Sequence, residues 1–62
     1  MKNEKNTPSA LRVKVKSTTT GWQGRVNNVE GNLTQVEWLK DENGLYTEIT
    51  SWVLSADLIQ IN

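Results

Sequence analysis

The sequence alternates apolar and polar residues with a period of two over several short runs. In residues 11–16, three apolar residues (Leu11, Val13 and Val15) alternate with three basic residues (Arg12, Lys14 and Lys16). This alternation is typical of a β-strand with one buried face and one solvated face. Helical periodicity does not extend over ten residues anywhere in the chain, so the pattern predicts an all-β protein.

Four more runs predict four more strands. They cover residues 22–26, 33–39, 45–50 and 58–62. Gly24 interrupts the second strand, and a glycine inside a strand usually marks a bend or a close approach of another backbone. The third strand carries apolar residues on both faces, which predicts a central position in the sheet. Four inward-facing residues are expected to be removed from water: Val13, Val26, Val36 and Ile49.

Turn-forming residues separate these runs. Residues 18–21, 27–32 and 40–44 are rich in Gly, Asn, Asp and Thr, and the Asn43-Gly44 pair is the strongest hairpin signal in the chain. The alternation stops after residue 50. Residues 55–58 predict a single helical or 3-10 turn, which Ser55 is able to cap.

The order of these elements resembles the SH3-like barrels, which end with a 3-10 turn and a short closing strand. The resemblance implies a small barrel of about five antiparallel strands. A barrel also suits a chain with few apolar residues, because a flat sheet would leave its edges exposed. We therefore predict an SH3-like barrel domain over residues 10–62. Residues 1–9 are polar and end in Thr-Pro-Ser, which predicts a flexible tail.

Size and composition limit what the chain can build. A chain of 62 residues, of which 35% are hydrophobic, is enough for one domain with a small core. The absence of Cys and His excludes disulfides and removes the usual ligands of structural zinc, so no metal is expected. No motif implies a cofactor. Further stability then has to come from close packing or from another subunit, so self-association stays open.

The net charge of zero argues against nucleic acid as the partner. Seven basic and seven acidic residues cancel, whereas nucleic-acid-binding proteins usually carry a basic excess. A local basic face on the first two strands is expected from Arg12, Lys14, Lys16 and Arg25. These residues either form a solvated strand face, paired across to acidic residues of the third and fourth strands, or contact phosphates or carboxylates.

The hydropathy pattern predicts a cytoplasmic protein with no membrane partner. No apolar run of about 18 residues is present. Residues 1–10 contain no apolar core of the kind found in secretory signals.

Residues 21–26, Gly-Trp-Gln-Gly-Arg-Val, resemble the G-x-x-G-x-V core of the KOW motif of ribosomal proteins and transcription elongation factors. The resemblance implies nucleic-acid binding, in which the four basic residues would contact phosphates and a tryptophan would stack on a base. A glycine and a branched residue at these positions also suit any SH3-like barrel.

A second resemblance extends over more of the chain. The segments RVKVKSTTTGWQGRV and SADLIQIN are similar to the plasmid-encoded type II dihydrofolate reductases, with matches at Arg12, Val13, Lys16, Ser17, Trp22, Gln23, Gly24, Ala56, Leu58, Ile61 and Asn62. This similarity implies a barrel that assembles as a tetramer around one pore and uses NADPH. The Val-Gln-Ile-Tyr pore segment of that family is replaced here by Thr-Ser-Trp-Val at residues 50–53. Its substrate-steering lysine falls near Val15, beside Lys16, so the functional residues do not carry over.

The aromatic residues supply the main candidates for a binding surface. Three Trp and one Tyr are many for a chain of this size. We expect Trp38 in the core, and we expect Trp22 and Trp52 beside loops, where exposed tryptophans serve as contact points for partners. The usual nucleophile and base pairs are missing because Cys and His are absent, and Asp41 and Glu42 are expected to be solvated loop residues.

These observations predict a non-catalytic binding module or an accessory subunit of a larger complex. The predicted partner is a protein, or a second copy of the chain, contacted through Trp22, Trp52 and the basic face. Nucleic-acid binding of the KOW type and dihydrofolate reduction of the type II kind are the alternatives.

Overall fold

The computed structural model describes residues 11–61, and the predicted tail at residues 1–9 lies outside this range. Its elements are β1 (Lys14–Ser17), β2 (Gln23–Glu30), β3 (Leu33–Lys40), β4 (Tyr46–Leu54), a 3-10 turn (Ser55–Asp57) and β5 (Leu58–Gln60). The strands form one antiparallel sheet in the order β4-β3-β2-β1-β5. The predicted all-β fold, with five antiparallel strands and a 3-10 turn before the last, is confirmed. Residues 11–61 include no helix long and apolar enough to cross a membrane.

The sheet curls so that strands far apart in its order share one core. Ser17 of β1 and Val53 of β4 line one small pocket of about 200 Å³. Three strand spacings separate β1 from β4, which would be about 14 Å or more in a flat sheet. A pocket of this size cannot extend over that distance. Curvature therefore brings the inward faces of the strands together.

The buried apolar core is small and follows the predicted alternation. It consists of Val15, Val26, Val36, Trp38 and Leu58. Val13 is half-buried against this cluster. Ile49, by contrast, is 51% exposed, so its predicted burial is wrong. The reason is that β4 ends the strand order, and no strand within residues 11–61 lies beyond it to cover this side chain.

Gly24 lies where the backbones of β2 and β3 approach closely. A Cβ atom at this position would overlap the backbone oxygen of Glu37 and would lie 2.8 Å from Cγ1 of Val36 and 2.9 Å from Cα of Trp38. A register shift between Gln23 and Gly24 marks an irregularity at the same point. The close backbone approach predicted for this glycine is confirmed, and no side chain fits there without a shift of β3.

β2 continues through residues predicted to form a turn. The sequence predicts a turn over residues 27–32, whereas β2 runs to Glu30 and leaves two residues before β3. A register shift between Val26 and Asn28 inserts one unpaired residue. Beyond it, Val29 is half-buried against the core. The predicted turn is confirmed at Gly31 and Asn32 only. It is wrong for residues 27–30, because asparagines are tolerated at a β-bulge as well as in a turn.

β4 is longer than the sequence predicts. The alternation indicates a strand over residues 45–50, whereas β4 pairs with β3 up to Leu54. Ser51 interrupts the apolar alternation, but its hydroxyl accepts a 2.9 Å hydrogen bond from the indole N–H of Trp38. An inward position can therefore be polar when it satisfies a buried donor, which is why the strand continues beyond the apolar pattern.

The sequence predicts that Ser55 is able to cap the 3-10 turn, but the structure shows that it does not. Leu54 holds the N-cap position, and the turn has no side-chain cap. The hydroxyl of Ser55 instead lies 2.5 Å from that of Thr34. Thr34 is fully buried, so this contact supplies the partner that its hydroxyl needs.

Candidate functional site

The six residues predicted to form the partner surface lie on three parts of the molecule. They are the basic residues before and on β1 and β2 (Arg12, Lys14, Lys16 and Arg25), Trp22 between β1 and β2, and Trp52 within β4. Trp22 packs against the core, whereas Trp52 is exposed on the opposite side of the sheet from it. The two tryptophans therefore do not form one cluster.

The basic side chains of β1 and β2 share the outer face of the sheet. Lys14 is directly opposite Arg25, and Lys16 is opposite Gln23. All three basic residues are exposed. Like charges in directly opposite positions repel each other. Glu37, opposite Arg25 on its other side, offsets part of this repulsion, as the sequence suggested.

Arg12 adds to the basic face from an unusual backbone conformation. Its φ is +70°, which is uncommon for a residue other than glycine. Its backbone N–H donates a 2.8 Å hydrogen bond to the oxygen of Val26. Together with Arg25 and Glu37, it lines a cleft of about 290 Å³. Because Leu11 and Arg12 form a turn, β1 begins at Lys14 and not at Leu11, where the apolar alternation starts.

Trp52 lies within a strand and not beside a loop, which corrects its predicted setting. It is opposite Gln35, and the next residue on the same face, Leu54, is opposite Leu33. Trp52 is 42% exposed and Leu54 is 50% exposed. Three apolar side chains therefore share the outer face at one end of β3 and β4.

β4 concentrates the exposed apolar side chains of the described chain. Within residues 11–61, seven large apolar residues are exposed: Leu11, Leu33, Leu45, Tyr46, Ile49, Trp52 and Leu54. Five of these seven lie between residues 45 and 54. β4 is also an edge of the sheet formed by residues 11–61. The backbone N–H and C=O groups on its outer side and its exposed apolar side chains are therefore available to the same partner.

A small pocket opens beside Trp22. Its volume is about 200 Å³, and it is lined by Ser17, Thr19, Thr20, Trp22, Trp38, Ser51, Val53 and Asp57. The rings of Trp22 and Trp38 lie 6.3 Å apart between centroids at an interplanar angle of 86°. An edge-to-face arrangement of this kind is favourable because the positive ring edge meets the negative ring face. Two indole rings thus form adjoining walls of the pocket.

Hydrogen bonds fix both indole rings. The Trp22 indole N–H donates to Oε1 of Glu42 at 2.6 Å, and the Trp22 backbone N–H donates to Oγ1 of Thr20 at 3.1 Å. The Trp38 indole N–H donates to Ser51. Trp38 is 4% exposed, so its predicted place in the core is confirmed. Both indole donors are therefore already hydrogen-bonded.

The sequence did not identify Ser51 and Asp57, which line this pocket, or Glu42, which accepts a hydrogen bond from Trp22. Glu42 is an exposed loop residue, as expected, but it also accepts the indole N–H of Trp22, which the sequence did not indicate. Asp41 is engaged as well, since its Oδ1 accepts the backbone N–H groups of Asn43 and Leu45 within the hairpin loop. No local spacing relates Trp22 to Glu42, so only the folded chain brings them together.

Tyr46 and Glu48 form a pair on the exposed surface of β4. The phenol hydroxyl donates to Oε2 of Glu48 at 3.3 Å. The negative charge of Glu48 and this hydrogen bond raise the pKa of Tyr46 above its ordinary value of 10.0. A more distant charge, on Glu37, acts in the same direction. Glu48 is therefore paired within its own strand.

Comparisons with known proteins return no counterpart for this chain: no protein family, no curated protein and no solved structure matches it. The resemblances to KOW and reductase sequences stay predictions. The positions that correspond to the reductase pore segment, residues 50–53, lie in β4. Within residues 11–61, no three His, Cys, Asp or Glu side chains are grouped as a metal site would need.

Proposed function

We propose that this chain is a non-catalytic protein-interaction module that binds through β4, and that the strand it pairs with is β4 of a second copy. The observation that carries the proposal is that β4, a sheet edge that no other strand of residues 11–61 covers, coincides with five exposed apolar residues in the strand or directly before it. Monomeric proteins usually protect an edge strand with charges, prolines or a covering segment. β4 contains a single charged residue, Glu48, and no proline.

The strand sequence is compatible with antiparallel pairing to itself. A two-fold axis at Thr50, the midpoint of Tyr46–Leu54, would place Glu48 opposite Trp52 of the second copy. Because Glu48 lies two residues from the axis, the two like charges would not face each other directly. Ile49 would face Ser51 of the second copy and would gain cover on the side that is open in the monomer. An isologous contact of this kind closes as a dimer.

The small size of the core supports the same conclusion. Within residues 11–61, five buried apolar residues form the core, and a chain of this length buries only about 60% of its unfolded surface. Extending the sheet across β4 adds backbone hydrogen bonds and removes apolar surface from water. Self-association therefore stabilises the fold as well as occupying the edge.

Substitutions that place a positive or a negative charge at the two-fold axis test the proposal. Thr50 is exposed, and the same substitution in both copies would place two like charges opposite each other. Sedimentation equilibrium should show a dimer for the original chain and a monomer for Thr50→Lys and for Thr50→Glu. An equimolar mixture of the two variants should dimerise again, because opposite charges then meet at the axis.

Gln60→Lys is the matched control, since Gln60 is an exposed strand residue at the other end of the sheet. It should leave the dimer unchanged. A monomeric original chain at millimolar concentration would overturn the proposal. A Thr50→Lys variant that dimerises as tightly as the original chain would also overturn it, because the contact would then lie elsewhere.

Nucleic-acid binding is the second candidate function, favoured by the placement of Lys14 directly opposite Arg25. This arrangement is unfavourable in the free protein and becomes favourable next to phosphates. A fluorescent single-stranded oligonucleotide provides the test. Binding that weakens steeply with salt in the original chain, and less steeply in Lys14→Gln, would support this function. Binding without a salt dependence would reject it.

A further inference from the structure

We propose that the pocket between Trp22, Trp38 and Asp57 binds a methylated ammonium head group. Ser51 and Val53 of β4 line this pocket, but the inference does not require β4 to pair with a second copy, so it does not depend on the proposed self-association. The pocket volume of about 200 Å³ suits one small head group and not an extended ligand.

The charges around the pocket favour a cation. Among residues 11–61, no residue that lines the pocket is basic, and Asp57 is the one with a charge. The carboxylate of Glu42 is a second acidic group nearby, since it accepts a hydrogen bond from Trp22, which lines the pocket. An organic cation near these groups gains attraction from the carboxylates and from the faces of the aromatic rings.

The hydrogen bonds around the pocket favour a methylated cation over a primary amine. The hydroxyl of Ser17 already accepts two backbone N–H groups and lies 2.9 Å from Oγ1 of Thr19. The hydroxyl oxygens of Thr20 and Ser51 each accept a hydrogen bond from a tryptophan. A primary ammonium would lose strong hydration and find few free acceptors, whereas a quaternary head requires none.

The pocket walls are held in place before any ligand arrives. Trp22 is fixed by Glu42 through its side chain and by Thr20 through its backbone. The neighbouring Gly21 has a φ of +81° and packs closely enough that a Cβ atom there would lie 3.5 Å from Cβ of Glu42. Fixed walls reduce the entropy lost when a ligand binds.

Choline is the probe, with two controls of closely related shape. Its neutral carbon isostere, 3,3-dimethylbutan-1-ol, lacks the charge, and ethanolamine keeps the charge but lacks the methyl groups. NMR spectra of the three indole N–H groups should show shifts for Trp22 and Trp38 with millimolar choline, while Trp52 serves as an internal control. Both control compounds should bind at least several-fold more weakly.

Two variants test the assigned residues. Asp57→Asn should weaken choline binding by up to about fivefold, as expected for a partly solvated charge pair. Its fold should persist because Asp57 contacts the Thr18 backbone N–H and hydroxyl through its own backbone oxygen. Trp22→Leu should weaken binding by about tenfold. Glu30→Gln, a change at an exposed carboxylate on the far end of β2, should have no effect.

Equal affinity for choline and its neutral isostere would overturn the cation assignment, and equal affinity for ethanolamine would overturn the methylated head group. If choline shifts the indole N–H signal of Trp52 alone, or shifts no indole signal, the pocket is not a choline-binding site. The Thr50→Lys variant should bind choline like the original chain, so a failure of this site and a failure of β4 pairing are distinguishable.

Discussion

The indole N–H of Trp22 donates to Oε1 of Glu42 at 2.6 Å, and this bond joins the loop after β1 to the loop after β3. The two residues are 20 positions apart in the chain. The acceptor is a carboxylate, which makes the bond stronger than one between neutral groups. Since Glu42 is exposed, we expect the bond to hold the position of the ring more than it stabilises the fold.

Removal of this acceptor should release Trp22 with little loss of stability. In Glu42→Ala, the free energy of unfolding should fall by less than about 1 kcal/mol, because water replaces an exposed hydrogen bond at little cost. The indole proton of Trp22 should exchange faster with solvent, while that of Trp38 should not change. Hydrogen exchange measured by NMR checks this prediction. An unchanged exchange rate at Trp22 would show that packing against Trp38 alone fixes the ring.

A side chain at position 24 should be strongly destabilising. In Gly24→Ala, the new methyl group meets backbone atoms of β3, which cannot rotate away. We expect a loss of about 3 kcal/mol or more in the free energy of unfolding. Gly31→Ala is the comparison, since Gly31 has a φ of +60° but nothing within 4 Å of an added Cβ. That variant should lose only about 1 to 2 kcal/mol.

Measured by denaturant unfolding, the difference between these two variants separates steric overlap from backbone preference. Equal losses at Gly24 and Gly31 would contradict the close approach of β2 and β3.

Shortening Leu58 should nearly unfold the domain. Leu58→Ala removes a fully buried side chain that fixes β5 to the core, and such changes cost about 2 to 5 kcal/mol. A chain of this length has a total stability of only about 3 to 9 kcal/mol. Thermal unfolding followed by circular dichroism checks this prediction. Leu11→Ala, at a residue that is 58% exposed, should change stability by no more than about 0.5 kcal/mol.

The single tyrosine allows a direct measurement of the Tyr46–Glu48 pair. The pKa of Tyr46, followed by tyrosinate absorbance, should exceed 10.0 in the folded chain. Glu48→Gln should bring it back toward that value, and Glu37→Gln should lower it much less because its charge is the smaller cause. A pKa that responds equally to both substitutions would contradict the pairing.

The raised pKa of Tyr46 also determines how the stability of the fold depends on pH. A raised pKa means that the folded state holds the phenol proton more tightly than the unfolded state does. This contribution is present below pH 10 and is lost as the pH rises through the folded-state pKa of Tyr46.

The fold could be predicted from the sequence where apolar residues alternate without interruption. Val15, and later Val36 and Trp38, mark their strands because a buried face requires every second residue to be apolar. Prediction of strand ends failed at Asn28 and at Ser51. In both places a polar residue continues the strand, at a bulge in the first case and through a hydrogen bond to a buried indole in the second.

The candidate sites were less predictable than the fold. Sequence reasoning identified Trp22 and Trp52 but not that they lie on different sides of the sheet, because face assignment depends on registers that a bulge can change. Glu42 and Asp57 could not be related to Trp22, since they reach it only through loops distant in sequence. The partner-surface assignments themselves stay predictions until the binding experiments are performed.

The strand order has a consequence for the kinetics of folding. β2, β3 and β4 form a meander joined by short loops, whereas β5 pairs with β1 across most of the described chain, as in the pair of Val15 with Gln60. Closing that long loop costs more chain entropy than closing either hairpin. We therefore expect the meander to be formed in the folding transition state and the pairing of β5 with β1 to follow it. Val36→Ala should then slow folding, whereas Leu58→Ala should mainly accelerate unfolding.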